Sequence, residues 1–379
     1  MTSLERLPPD ARPGASASAD PPAAPAGSPR RRGALAVRIL VPTLTLVLLT
    51  VLLLSTSIGT IAVSPADALR IVIGHLVPGM PWMSDGSLTT VQDNAVWQFR
   101  LPRALLAATT GAALALAGAL MQAVVHNSLA EPYILGVSAG AGVGAVSFIV
   151  LGVGVSTLGV GTSAFLGALV ATAAVYVLAR KNGRIAPQRL ILAGVALGSL
   201  FSAVTSYLTI TTDAQNVFSI MFFLLGSVSA ATMGHLALPV AALLAVGLYA
   251  AFRARALNAL LVGDDAAASL GVNVDRLRSG TLVAAALLTG SVVAVSGGIG
   301  FVGLVLPHIA RIVVGSDHRR MLPVALLGGA AFLATCDLLA RTLAAPAEIP
   351  LGVLTALVGA PFFLWLLRRD RAESVGVGR

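Results

Sequence analysis

Few residues of this chain have the type and spacing needed for chemistry. His308 has no His, Cys or carboxylate near it at the spacing of metal ligands, so we interpret it as a packing residue. His318 lies in the basic stretch SDHRR and is expected to be solvated or to face another subunit. No Ser–His–Asp set and no carboxylate pair suited to acid–base catalysis stands out. We therefore expect no catalytic activity, no metal site and no cofactor.

The single lysine bears on ATP hydrolysis. A P-loop needs the lysine of a GxxxxGK[ST] motif to reach the phosphates, and Lys181 stands in LARKNGR without the preceding glycines. If this protein acts in an ATP-driven process, the ATPase must reside on another chain. Cys336 is the only cysteine, so an intrachain disulfide is excluded, and its apolar surroundings indicate a packing role.

The composition predicts that these residues are carried by membrane helices. Of 379 residues, 56% are hydrophobic and only 11% are charged, whereas about a quarter of an ordinary soluble chain is charged. Apolar stretches long enough to span a bilayer recur from residue 35 to 368, which predicts an all-α polytopic membrane protein. We attribute the net charge of +9 to basic cytoplasmic loops rather than to nucleic-acid binding.

Hydropathy predicts about ten transmembrane helices in a domain covering residues 35–370. A disordered cytoplasmic tail, 1–34, precedes it, and a short tail, 371–379, follows. The glycines of VSGGIGFVG divide an overlong apolar run near 297–300, and segment 215–230 is predicted to be only a partial helix. The predicted spans are 35–58, 104–125, 133–151, 158–179, 190–211, 236–252, 281–296, 298–314, 322–343 and 350–367.

The distribution of basic residues sets the topology. With both termini cytoplasmic, only Arg70, Arg100, Arg103 and Arg341 of the 25 basic residues fall outside, in agreement with the positive-inside rule. Arg100 and Arg103 in WQFRLPRALL therefore face outward against the general bias. Two interpretations remain open: the arginines reach lipid headgroups, or they bind an acidic partner outside the membrane.

Four segments together resemble one protein family. They are RLPRALLAATTGAALALAGALMQAVVHNSLAEPYILGVSAGAGVGA (100–145), LILAGVALG (190–198), LVGDDAAASLGVNV (261–274), and the run from GGIGFVGLVLPHIARIVVGSDHRRMLP (297–323) to DLLARTLAAPAEIPLGVLTALVGAPFFLWLLRR (337–369). In this order they resemble the permeases of ABC importers for ferric siderophores, haem and cobalamin. One departure is Asn127-Ser128, where that family usually has Asn-Pro.

The resemblance implies an assembly in the bacterial cytoplasmic membrane. Two permease subunits, the same or related chains, would surround one path within the membrane lipid. Two copies of an ATP-binding cassette subunit would attach inside, and an extracytoplasmic substrate-binding protein would dock outside. Nucleic acid is not an expected partner.

The coupling segment implied by the resemblance contains Gly263, Asp264, Asp265, Ala267, Leu270 and Gly271. Its chemistry suits a short docking helix, because carboxylates complement a helix N-terminus and glycine can end the helix. The alternative is a capped loop helix that binds no partner.

The arginines implied to dock the binding protein are Arg100 and Arg341, with Arg103 as their neighbour. Asp337 lies four residues before Arg341 and could pair with it along the helix. Glu348 in the following turn is a second candidate partner. An intrahelical ion pair is therefore the alternative interpretation of Arg341.

The resemblance thus implies a permease subunit that moves ferric siderophores by alternating access, with haem and cobalamin as alternative cargoes. A different class is an ion-driven secondary transporter, which needs acidic or histidine groups within the membrane. Asp213 and Asp337 are the only weak candidates for that role. A membrane scaffold without transport activity is a third alternative.

Overall fold

The structure is a computed structural model that describes residues 29–152, 157–181 and 184–376. Within these residues the only strands are β1 (Arg180–Lys181) and β2 (Arg184–Ile185), which pair antiparallel. The helices are α1 (Pro29–Ser57), α2 (Pro65–Leu76), α3 (Thr90–Asn94), α4 (Leu101–Val125), α5 (Val137–Val150), α6 (Thr157–Ala179), α7 (Pro187–Thr211), α8 (Ala214–Leu225), α9 (Ala237–Leu260), α10 (Asp264–Ser269), α11 (Val274–Ser296), α12 (Val302–Val314), α13 (His318–Thr342) and α14 (Leu351–Gly376).

The all-α polytopic fold is confirmed. Each predicted span corresponds to one helix, namely α1, α4 to α7, α9 and α11 to α14. Seven described helices are long and apolar enough to cross a membrane by themselves. α5, α12 and the apolar part of α14 are shorter, so they would cross only part of the ~30 Å hydrocarbon layer at about 1.5 Å per residue.

The predicted break between two membrane helices is present and begins at a glycine with a positive φ. α11 ends at Ser296 and α12 begins at Val302. Gly297 has a φ of +67°, in the left-handed region that favours glycine, and Phe301 also has a positive φ of +68°. The partial helix predicted at 215–230 is the shorter α8.

Helix boundaries differ from the hydropathy prediction at both ends of the chain. α1 begins at Pro29, so it starts before residue 35, and the remaining predicted tail, 1–28, lies outside the described residues. α14 continues to Gly376, beyond the predicted boundary at 370, and residues 377–379 are outside the described part. A helix can continue past the hydrocarbon layer because its backbone remains hydrogen-bonded there, where hydropathy no longer marks it.

The centre of the fold is a continuous helical stretch that runs from Thr90 to Val125. It consists of α3, a π-helical turn at Ala95–Arg100 and α4. Most residues of α4 are buried. Small residues allow its neighbours to approach closely. A Cβ added to Gly118 would overlap the Gly303 carbonyl of α12, and one added to Gly111 would overlap the Gly329 carbonyl of α13.

The outer end of this central helix is held by a small extracytoplasmic cap. Val63, Ala68 and Ile71 bury an apolar cluster against Val96. The rings of His75 and Trp97 stack with centroids 4.2 Å apart, and His75 Nε2 lies 2.7 Å from Asp93 Oδ1. These contacts fix the backbone that carries the outward-facing arginines.

Candidate functional site

The three predicted docking arginines lie in one region, here called the external arginine cluster (Arg100, Arg103 and Arg341). Arg103 donates from Nε to Asp337 Oδ1 at 2.9 Å and from Nη1 to Glu348 Oε1 at 2.7 Å. Arg341 Nη2 lies 3.6 Å from Asp337 Oδ2, four residues earlier on α13. Of the two acidic partners expected for Arg341, Asp337 lies within ion-pair distance of it, whereas Glu348 accepts from Arg103 instead.

Arg100 has a structural role that sequence inspection missed. It is only 7% exposed, and its Nη1 donates to Ser57 O at 2.8 Å and Thr56 O at 3.2 Å. Its Nη2 donates to Ile61 O at 2.6 Å. The last carbonyls of a helix lack intrahelical partners, and positive charge is favourable there. Arg100 therefore caps the C-terminus of α1, and direct docking through it remains a prediction.

Arg341 differs because part of its guanidinium is not satisfied within the described chain. Its Nε and Nη2 are buried and donate no hydrogen bond there, although Nη2 is within ion-pair distance of Asp337. Buried donors in native proteins nearly always have partners. Because both atoms are buried, an outside carboxylate could supply the missing acceptor only if the Arg341 side chain moved outward.

On the cytoplasmic side, the helix predicted for the coupling segment is α10. Gly263 precedes it with a φ of +112°, Asp264 and Asp265 form its first turn, and Gly271 follows it with a φ of +80°. Acidic residues at the N-terminus complement the helix dipole, and positive φ at the following glycine ends the helix. Ala267 is fully buried, so α10 rests on the protein through that side chain.

The outer face of the coupling segment is apolar. Val262 is 75% exposed and Leu270 is 72% exposed, although the topology places both on the cytoplasmic side. Leu261 next to them is 45% exposed. An apolar face of this kind, bordered by charged residues, is typical of a protein-binding surface.

Behind α10 lies a residue that the sequence did not identify as functional. Arg278 of α11 is buried, and both its Nη atoms lie within 3.2 Å of Asp264 carboxylate oxygens. It also donates to Val124 O and Ile185 O. The sequence shows only that this arginine lies near the start of an apolar helix, and that two acidic residues precede that helix.

A second junction joins the end of α9 to the start of α13. Asn258 Nδ2 donates to Asp317 Oδ1 at 2.7 Å, and Asn258 Oδ1 accepts from His318 N at 2.9 Å. Burial raises the pKa of Asp317, but the hydrogen bonds from Asn258 and the Arg319 amide, with the charges of Arg320 and Arg319, outweigh it and hold the pKa below its usual value. His318 was expected to be solvated or to face another subunit. The first alternative is wrong, because His318 is fully buried in the chain, with its Nδ1 2.8 Å from Asn258 Oδ1.

The loop between α4 and α5 is bonded to the break between α11 and α12. Tyr133 donates from its hydroxyl to Ile299 O and accepts from Ile299 N, at 2.9 and 2.8 Å. Glu131 Oε1 accepts from Phe301 N at 2.9 Å. The irregular backbone within the membrane is thus satisfied by protein groups.

Comparison with known proteins decides the family. The FecCD transport family matches residues 46–369. The chain belongs to this family. A cobalamin import system permease, BtuC, of Halobacterium salinarum is 41% identical, over 86% of this chain and 95% of the relative. The hemin transport system permease HmuU of Yersinia pestis is 42% identical, over 76% and 88%.

A solved structure agrees with this assignment. It is an inward-facing conformation of a metal-chelate type ABC transporter, with a TM-score of 0.75, 33% identity and coverage of 87% of this chain and 99% of the solved one. The FecCD family chain is therefore a permease subunit of an ABC importer. It is a multi-pass protein of the cytoplasmic membrane.

Proposed function

We propose that this FecCD family permease forms the transmembrane path of an ATP-driven importer and binds its ATPase subunits through the coupling segment. The observation that carries the proposal is the exposed apolar pair Val262 and Leu270 beside the short helix α10. A short helix with an apolar face fits into a groove of a partner. Two ATPase copies and a second permease, the same or a related chain, complete the proposed complex.

In this mechanism, ATP binding and hydrolysis in the partner subunits move the coupling segment. That motion shifts the paired permeases between outward-open and inward-open states. Nucleotide can shift this equilibrium only if the ATPase subunits bind the two states with different free energies. The coupling segment is suited to this because it is seated through Ala267 and otherwise exposed.

Outside the membrane, we propose that the external arginine cluster binds acidic residues of a substrate-binding protein. Three guanidinium groups against the carboxylates of Asp337 and Glu348 leave the region net positive. The Arg341 Nε and Nη2 lack hydrogen-bond acceptors, so we propose that the side chain turns outward on docking and contacts the partner there. Arg103 would position Asp337 and Glu348, and Arg100 would hold the end of α1.

One experiment tests both surfaces, with each variant serving as the other's control. We expect V262D/L270D to lose co-purifying ATPase subunits, because two carboxylates would have to be buried unpaired. The same variant should still bind the substrate-binding protein. R341Q should retain the ATPase subunits and bind the binding protein about tenfold more weakly at low salt, since one charge-assisted hydrogen bond is lost.

The measurements are pull-down of the ATPase subunits and surface-immobilised binding of the binding protein. Retention of the ATPase by V262D/L270D would contradict the proposed coupling surface. Unchanged binding by R341Q at low salt would contradict docking at Arg341 and leave the lipid-headgroup interpretation of the arginines.

For the cargo, we propose a large metal chelate. The sequence resemblance favoured ferric siderophores, while the similar permeases named above are described for cobalamin and hemin. The similar solved structure is described as a metal-chelate type transporter. We propose that the external binding protein selects among these chelates.

Uptake of labelled chelates separates the candidates. Cells with and without the gene are given radiolabelled ferric siderophore, cobalamin and haem in parallel. We expect deletion to abolish uptake of one chelate and the intact gene to restore it. Loss of ferric siderophore uptake alone would support the cargo favoured by sequence, and loss of another would replace it. If no uptake changes, the chelate proposal is wrong.

A further inference from the structure

We infer that the Arg278–Asp264 ion pair is the strut that transmits movement of the coupling segment to the membrane helices. The inference rests on the proposed function, because it names how that function's coupling segment acts on the rest of the chain. It assigns Arg278 a positioning role.

The Arg278 guanidinium joins several elements of the fold. Arg278 belongs to α11, and its Nη2 lies 3.1 and 3.2 Å from the two carboxylate oxygens of Asp264, the first residue of α10. Its Nε donates to Val124 O at 3.3 Å, in the last turn of α4. Its Nη1 donates to Ile185 O at 3.4 Å, in the hairpin between α6 and α7. One side chain thus connects four parts of the fold.

The two partners of the ion pair differ in burial. The Arg278 side chain is 4% exposed, whereas that of Asp264 is 46% exposed. A buried guanidinium is costly unless it is paired and hydrogen-bonded. If α10 moved alone, Arg278 would lose its carboxylate while remaining buried. The lower-energy movement carries α11, the end of α4 and the hairpin with α10.

The contacts of the strut continue toward the membrane interior. Val124 lies in the last turn of the central helix, and His126 follows that helix with a left-handed backbone and its Nε2 3.9 Å from Asp264 Oδ1. The loop after it carries Glu131 and Tyr133, which are bonded to the break between α11 and α12. A displacement at Asp264 is therefore connected by direct contacts to the membrane interior.

Hydrogen exchange of the assembled complex tests this without knowledge of the cargo. The permease with its ATPase subunits is compared with and without a non-hydrolysable ATP analogue. In the wild type, we expect nucleotide to change exchange at the end of α4 and in the hairpin. D264N should reduce that change at least about fivefold, the lower limit of typical allosteric coupling. D264E, which keeps the charge, should restore most of it.

Two controls separate coupling from stability. D275N and R276K alter the neighbouring acidic and basic residues of α11, and neither should alter the nucleotide response. R278K keeps the charge but lacks the planar fork that reaches both carboxylate oxygens and the carbonyls, so its response should also fall. A purely structural role would change exchange equally with and without nucleotide.

The outcomes are distinguishable. If the wild-type chain binds no ATPase subunits, the proposed function fails and this inference fails with it. If the wild-type complex assembles and responds to nucleotide but D264N responds equally, only the strut is refuted. Loss of the response in R278K, whose substituted residue lies outside the coupling segment, with ATPase subunits still bound and D275N unaffected, supports the strut.

Discussion

Gly194→Ala is expected to destabilise the chain by about 2 kcal/mol or more, whereas Gly198→Ala, one helical turn later, is expected to be neutral or slightly stabilising. A Cβ at Gly194 would overlap the main-chain oxygen of Ile134, which is backbone and cannot move aside as a side chain can. At Gly198 an added Cβ meets nothing within 4 Å. There, alanine gains up to about 1 kcal/mol of helix propensity.

The single cysteine provides the measurement. Cys336 is buried, so a thiol-reactive dye should label it only when the purified chain unfolds during heating in detergent. We expect the labelling midpoint of Gly194→Ala to fall by several degrees and that of Gly198→Ala to remain at or above the wild-type value. Equal midpoints for the two variants would show that the close approach of α7 to Ile134 does not limit stability.

This pair of glycines shows what the sequence could and could not predict about the fold. Hydropathy predicts the ten spans because a helix inside the bilayer is marked by a continuous run of apolar residues. The break near 297–300 is predicted because clustered glycines interrupt the run. Within LILAGVALG, however, nothing distinguishes Gly194 from Gly198. Only Gly194 meets a carbonyl, and that carbonyl is 60 positions away in the chain.

The same limit applies to the candidate sites. The pair of Asp337 and Arg341 could be predicted, because residues four apart share a helix face. The ends of α10 could be predicted from its acidic start and the glycine that follows. The capping role of Arg100 and the strut at Arg278 could not, because their partners are main-chain carbonyls or residues in other elements. Such contacts depend on tertiary packing and leave no periodic pattern.

Asp337→Ala is expected to destabilise the chain by about 3–5 kcal/mol, the usual result of removing one partner of a buried ion pair. Asp337 is fully buried, and its two oxygens face Arg103 Nε at 2.9 Å and Arg341 Nη2 at 3.6 Å. Without it, two largely buried guanidinium groups share only Glu348 as a counter-charge. The expected loss therefore includes both desolvated charge and repulsion between the arginines.

Asp213→Ala is the matched control, because Asp213 is exposed and its side chain makes no capping hydrogen bond to α8. Its effect should stay within about 0.5 kcal/mol. The midpoint of Cys336 labelling on heating is measured for both variants. An unchanged midpoint for Asp337→Ala would mean that groups other than Asp337 compensate the charges of the two arginines.

The same two positions also test the ion-driven alternative. A coupling carboxylate must bind and release its ion during transport, which Asp337 cannot do while it compensates two arginines. D337N, which retains the shape and one acceptor oxygen, should lower stability but leave transport per folded molecule intact. D213N should change neither. Folded D337N that still binds the substrate-binding protein but does not transport would instead favour an ion-coupling role for Asp337 over a structural one.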